Sequence, residues 1–313
     1  MNSAVQKPKI VFFGSGPVAS QSLELLMEWC DIEAVITKPQ PAHHRQPFPV
    51  IETAKRHNLP THFVSKRKEL DQLIGSLPFE SRVGVLIDFG IIISQFTIDS
   101  FELGIVNSHF SLLPELRGAD PITFSILSGQ QETGISLMLL VEAMDEGPLL
   151  AQSTYEMSGS ETTPQLTNVL IGLSDKTLRH ILPLYITGDI QIVDQETILL
   201  DNNREATYSR KLTKDDSILD FAKPAAQLER EIRAFAEWPK SRTTLADKDV
   251  VITKAHVLPN NPNLQAAELD LTQPGTIAIQ TSDGQLGVET LKPAGKGEMS
   301  AKAFLAGYKL IAT

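Results

Sequence analysis

Short apolar runs recur along the first half of this chain, each followed by a turn and then a helical pattern, and this alternation limits the fold to an α/β class. Lys9-Ile10-Val11-Phe12-Phe13 ends in Gly14-Ser15-Gly16-Pro17, and Leu23, Leu25, Leu26 and Met27 follow at helical spacing. That stretch reads as strand, glycine turn, helix. Residues 32–37, 83–87 and 105–109 read as further strands, and residues 49–57 and 163–185 as helices. Strands alternating with helices predict a Rossmann-like parallel sheet covered on both faces, with ligands bound beyond the carboxyl ends of its strands. Two more extended runs, 135–141 and 149–157, flank the turn Met144-Asp145-Glu146-Gly147-Pro148.

The second half reads differently. A polar stretch, 188–203, resembles a linker, and Ala225, Leu228, Ile232 and Phe235 then line one side of a helix over 224–235. Extended runs at 249–257, 275–281 and 285–291, separated by Asn-Pro, Pro-Gly and Asp-Gly turns, predict a small β-barrel. The expected division is therefore 1–187, a linker over 188–205, and 206–313. No uncharged apolar run approaches the roughly 18 residues that a membrane span needs. The first residues, Met1 to Lys9, lack the apolar core of a signal peptide, so the expected setting is the cytoplasm. Cys30, the single cysteine, has no partner for a disulfide and reads as a small buried group on a helix.

Asn107 and His109 stand two residues apart at the end of one predicted strand, which puts both on the same face. An amide and an imidazole aimed at one spot suit chemistry that builds negative charge on a carbonyl oxygen, since preorganised donors count most where charge develops. Acyl transfer or hydrolysis follows; satisfaction of nearby backbone groups is the plain alternative. Asp145 reads either as a turn acceptor or as a carboxylate that orients His109. Gly14-x-Gly16-x-x-Ala19 has the look of a dinucleotide loop, but the second strand ends at Thr37-Lys38 with no acidic partner for a ribose. A tight turn at the active end of the sheet is the preferred reading. Ser111 lacks the Gly-x-Ser-x-Gly elbow of a nucleophile, and the seven histidines show no zinc spacing, so no metal is expected.

Asn107-x-His109 leads into Ser111-Leu112-Leu113-Pro114-x-x-Arg117-Gly118, then Glu132-Thr133-Gly134 and Asp145-x-Gly147. This order and spacing resemble the 10-formyltetrahydrofolate-dependent formyltransferase family. Beyond the core, Ala206-Thr207-Tyr208-Ser209-Arg210-Lys211-Leu212, Ile232 to Pro239, and Lys292 to Lys296 running into Met299-Ser300-Ala301 are similar to the second domain of the methionyl-tRNA formyltransferases. The likeness spans Lys9 to about Leu310.

The resemblance implies an oligonucleotide-binding-like C-terminal barrel and transfer of a formyl group from 10-formyltetrahydrofolate to the amino group of initiator methionyl-tRNA. It implies Asn107, His109 and Asp145 as the catalytic trio. Ser111, Leu112, Leu113, Pro114, Phe89, Gly90, Ile91 and Ile92 become the expected folate contacts. A sugar nucleotide as acceptor, served by the same trio, is the alternative. Asp88, Ser94 and Phe110 depart from the residues usual in the family at those places. The loop after the second strand corresponds to a basic tRNA-binding loop, here thin in charge, so Lys38 and Arg45 are its expected contacts, joined by Arg210 and Lys211. A net charge of −10 is unusual for a nucleic-acid binder, but it is unevenly spread. Residues 204–313 carry 15 Lys+Arg against 14 Asp+Glu, and the remainder 13 against 24. The acidity lies away from the expected tRNA-binding domain. A monomer is expected.

Overall fold

A computed structural model describes residues 7–41, 48–202 and 205–310. Arg45 therefore lies outside the described residues. The chain forms two compact units, one of residues up to 118 with 132–155 and 167–209, the other of 119–131, 156–166 and 210 onward.

In the first unit, β1 (Lys9–Phe13), α1 (Pro17–Met27), β2 (Asp31–Thr37), α2 (Pro49–Arg56), β3 (Thr61–Phe63), α3 (Arg67–Ser76), β4 (Val83–Leu86), α4 (Gln95–Asp99) and β5 (Ile105–His109) follow the predicted alternation. The strands from β1 to β5 pair in parallel in the order β3-β2-β1-β4-β5. Connections from β1 run to one side and the return to β4 to the other, so the carboxyl ends of β1 and β4 mark the switch point where such sheets bind ligands. Proline at the first helical position starts both α1 and α2, where its missing N–H costs nothing. Ser94, one of the departures from the family, caps α4: its hydroxyl accepts from Thr97 N and donates to Asp71 Oδ1.

After β5 come a two-residue strand, β6 (Arg117–Gly118), the helix α5 (Pro121–Ser128) of the second unit, and β7 (Glu132–Leu139) and β8 (Leu149–Glu156), which extend the sheet to seven strands. β7 runs antiparallel to β5, so the sheet is mixed where the alternation predicts parallel strands. β6 and α5 lie between β5 and β7 without returning the chain to the start of the sheet, and the helix-free turn after β7 then brings β8 in beside it at the edge. The long helix α6 spans Thr163–Thr187. The predicted linker holds a helix, α7 (Gln195–Asn202), and its Val193 bridges to Leu149 at the start of β8. β9 (Tyr208–Ser209) pairs in parallel with β6. The core beneath the sheet gathers Val11, Phe13, Ile36, Phe89, Phe101 and Ile105, with Phe13 meeting Phe89 edge-on at 5.7 Å. Cys30 is buried but lies in the turn before β2 rather than on a helix, and burial pushes its thiol pKa up to about 12. It is a packing residue.

The second unit adds a short 3-10 turn (Lys214–Ser217), α8 (Ala225–Ala234), β10 (Ser241–Leu245), β11 (Lys248–Leu258), β12 (Leu269–Asp270), β13 (Ile277–Gln280), β14 (Gln285–Pro293), β15 (Met299–Ser300) and α9 (Ala301–Gly307). Its strands form one antiparallel sheet, a half-barrel in which β10-β11-β14-β13-β12 follow in order and β15 joins β14. Leu228 and Ile232 of α8, Ile252, Leu286, Leu291 and Phe304 fill its core, as the helical spacing of the sequence requires. Arg230 of α8 hydrogen-bonds Leu127 O at the end of α5.

Asp216 ties down the start of this unit. Arg210 grips its carboxylate with both Nη1 and Nη2, and Thr213 N donates to Oδ2 at 2.7 Å. The Arg210 guanidinium, against burial and together with Thr213, holds the Asp216 carboxyl well below the usual carboxylate range. A depressed folded-state pKa contributes stability that is present above the unfolded value and lost as pH falls through the folded one. Asp216→Asn is thus expected to lower stability by about 1 kcal/mol at neutral pH, allowing for solvent screening at exposed Arg210. Calorimetric unfolding should show the gap to wild type closing below roughly pH 3.

Candidate active site

β5 places the first two residues of the trio. Its pairing with β4 on one side and β7 on the other buries every residue from Ile105 to His109, and Asn107 and His109 share a face as their spacing dictates. Asn107 is 7% exposed, and its amide has no hydrogen-bond partner among the described residues. The amide is not sealed from solvent, so it is open to a ligand at the rim of the sheet. His109 Nε2 lies 2.9 Å from the carbonyl of Leu116, which can only accept, so Nε2 carries a proton. The other ring nitrogen, Nδ1, faces Asp145 Oδ1 at 3.8 Å. That is an ion-pair distance, longer than a hydrogen bond. The Leu116 carbonyl therefore anchors the ring, where the sequence suggests Asp145 for that task.

Asp145 sits in the turn between β7 and β8 with φ +53°, a left-handed conformation that an Asp tolerates better than most residues. Its Oδ2 accepts from Gly118 N at 2.7 Å. Gly118, at φ +104°, has no room for a side chain because a Cβ would lie 2.5 Å from Ser209 O. The Arg117-Gly118 pair of the sequence pattern thus supplies a bent backbone whose N–H holds the carboxylate.

The loop Ser111-Leu112-Leu113-Pro114 is fastened from below. Ser136 Oγ donates to Ser111 O and accepts from Leu113 N, while Gln152 Nε2 donates to Leu113 O and to Ser136 Oγ. The side chains of Ser111, Leu113 and Pro114 are buried, with Leu113 packed on Met138 and Leu149. Leu112 is half-buried. In the other candidate loop, Phe89 belongs to the core, Ile91 packs partly on it, and Gly90 and Ile92 are exposed. What these segments offer a ligand is chiefly backbone, Leu112 and Ile92. Phe110 is buried as well.

The glycine turn joins this end of the sheet. A Cβ on Gly16 would strike the Asp88 carboxylate at 1.8 Å, and one on Gly14 would meet Ala19 at 2.6 Å. Ser15 N donates to Asp88 O. The glycines are there for close packing of one loop on the next, as the tight-turn reading holds. Lys38 belongs to the same cluster: its backbone N donates to Ser15 Oγ, and its Nζ lies where a Cβ of Gly90 would be 2.7 Å away. Lys38 is thereby brought to the Phe89–Ile92 segment. In the second unit Arg210 is engaged with Asp216 and lies over the Phe124 ring at 5.8 Å, while Lys211 is exposed. Gln195, Ser136 and Gln152, absent from the candidates read in sequence, hold the loops of the site. Nothing in their local sequence distinguishes them from surface residues.

Among the described residues no group of three His, Cys, Asp or Glu could hold a metal ion, and no helix is long and apolar enough to cross a membrane.

The family described as "Formyl transferase" matches residues 9–181, and "Formyl transferase, C-terminal domain" matches residues 211–309. Methionyl-tRNA formyltransferase of Myxococcus xanthus is 33% identical over 312 residues, covering 98% of this chain and 97% of its own. That of Halorhodospira halophila is 34% identical over 310 residues and covers 97% of each. Among solved structures, a sugar 3N-formyl transferase crystallised with dTDP and 5-N-formyl-THF superposes at TM-score 0.67 and 18% identity, covering 93% of this chain and all of its own. The N-formyltransferase of Helicobacter canadensis, in complex with folinic acid and dTDP-3-aminofucose, gives 0.65 and 16%, covering 90% and 98%. Those two likenesses speak to fold. Two domain matches in sequence order, together with relatives one-third identical along nearly the whole length, establish that the chain belongs to the methionyl-tRNA formyltransferase family.

Proposed function

We propose that the chain transfers a formyl group from 10-formyltetrahydrofolate to the amino group of methionine on initiator tRNA, as a monomeric cytoplasmic enzyme. The observation that carries this reading is the Asn107 amide, bonded to no described residue and open to solvent, beside His109 and Asp145 at the rim of the sheet. The sequence relatives bearing the methionyl-tRNA formyltransferase name support the acceptor.

Bound 10-formyltetrahydrofolate supplies an activated formyl group. Backbone of the Ser111–Pro114 and Phe89–Ile92 segments, with Leu112 and Ile92, holds it. Asn107 donates to the formyl oxygen, where negative charge grows as the amine attacks. His109 donates to the same oxygen through Nδ1. Because Nε2 is committed to Leu116, that ring is doubly protonated while it donates, and the Asp145 carboxylate balances its charge. Asp145 would also accept the proton leaving the attacking nitrogen, through water, and pass it back to the folate nitrogen as the bond from that nitrogen to the formyl carbon breaks and tetrahydrofolate leaves. Lys211 is exposed while the Arg210 guanidinium is engaged with Asp216, so Lys211 is the better phosphate contact of those two neighbours, and Lys38 and Arg45 serve the acceptor end of the tRNA.

One assay tests the reading: purified protein with labelled 10-formyltetrahydrofolate against methionyl-tRNA, free methionine and an amino-sugar nucleotide. Formyl transfer to methionyl-tRNA alone is expected, weakening steeply with added salt. Preferred formylation of the sugar nucleotide, or formate released without an acceptor, would overturn the assignment.

A further inference from the structure

Gln195 opens α7 and is 2% exposed. Its Nε2 donates to two carbonyls of the active-site turn, Asp145 O and Gly147 O, each at 2.8 Å. Its Oε1 accepts from Arg117 Nε at 3.2 Å and Arg117 Nη2 at 2.8 Å. Guanidinium groups only donate and carbonyls only accept, so the amide has one orientation and all of its hydrogen-bonding positions are filled. Arg117 is itself buried, and its Nη1 pairs with Glu146 Oε1 at 3.1 Å. Arg117 is also bonded along its backbone, N to Thr207 O, and the next residue, Gly118, holds the Asp145 carboxylate.

The turn is thus gripped from two directions. Gly118 N fixes the carboxylate of Asp145, and Gln195 fixes its backbone at the one residue of the turn held in the left-handed region. We propose that Gln195 is a positioning residue for the reaction, setting the placement of Asp145 against His109, with Arg117 as the buried strut that orients the Gln195 amide. The proposal rests on the catalytic reading of Asp145. A displacement of about 1 Å in a reacting group is enough to cost up to about 10²-fold in rate, which sets the scale expected here.

Gln195→Glu separates this role from simple stability. The introduced carboxylate keeps its contact with Arg117 but faces the Asp145 and Gly147 carbonyls as acceptor against acceptor. In the full-length protein its melting temperature is expected to fall, since two buried carbonyls lose their donor, and kcat, read well below that temperature on fully folded protein, falls about 10- to 100-fold with KM for the formyl donor little changed. Gln195→Ala is expected to lose both stability and kcat. In an Asp145→Asn background the Gln195→Glu penalty on kcat should largely vanish, because the second substitution acts through the first residue. An undiminished penalty there, or a wild-type kcat for Gln195→Glu beside an impaired Asp145→Asn, overturns the proposal. Should Asp145→Asn itself work at the wild-type rate, the catalytic reading of Asp145 fails instead. Hydrogen exchange at the Gly118 amide then decides the positioning claim alone: it quickens in Gln195→Glu if the turn is loosened, and unchanged exchange refutes it.

Discussion

Asn107→Ala is expected to cut kcat by about 10²- to 10³-fold while leaving the melting temperature unchanged. The rate loss is the ordinary consequence of removing one preorganised donor from a site of developing charge. The unchanged stability is specific to this protein, since the Asn107 amide has no partner among the described residues and its removal breaks no hydrogen bond. His109→Ala and Asp145→Ala should impair turnover as severely but also destabilise. The first takes from the Leu116 carbonyl the shorter of its two hydrogen bonds, leaving Ser209 Oγ at 3.3 Å, and the second leaves the Gly118 N–H unpaired, at about 1–3 kcal/mol for such a group. Steady-state rates and thermal melts of the three variants together make the comparison. A normal rate in Asn107→Ala removes the amide from the chemistry, and a marked loss of stability in that variant shows that its role is to hold the fold.

This contrast marks what the sequence makes legible. Strand alternation and glycine turns reveal the sheet, because parallel strands buried on both faces must be apolar and must be joined by helices. Spacing of two places Asn107 and His109 on one face, and β5 begins and ends as that reading expects. The antiparallel edge at β7 and β8 is less legible, since an extended run does not declare its direction. The partners of the site are hidden for a further reason: they act through backbone carbonyls and N–H groups, which every residue has. Leu116 enters through its carbonyl, Gly118 through its N–H, and Gln195 lies in a polar stretch whose composition matches any linker. Lys38 shows the converse case. Its charge suggests nucleic acid, while the fold lays its ammonium beside Gly90.

Gly147→Ala is expected to cost the first unit about 3 kcal/mol and to lower activity by 10²-fold or more. A methyl on residue 147 would stand 1.7 Å from Leu139 O and 3.0 Å from the Leu139 carbonyl carbon. Both are backbone atoms of β7, the strand paired with β5, so no side-chain rotation can relieve the overlap. The turn must retreat instead. Retreat stretches the Leu139 N to Pro148 O bond, pulls Gly147 O from Gln195, and carries Asp145, two residues away, out of line with His109. The same substitution at Gly172, inside α6 with nothing within 4 Å of its Cβ position, is the control. There alanine relieves the entropic penalty of a helical glycine and should raise stability by roughly 0.5–1 kcal/mol with activity intact. Equal, small effects at both positions, measured by thermal unfolding and turnover, would mean that the Asp145 turn yields easily and that its close approach to β7 does not govern the site.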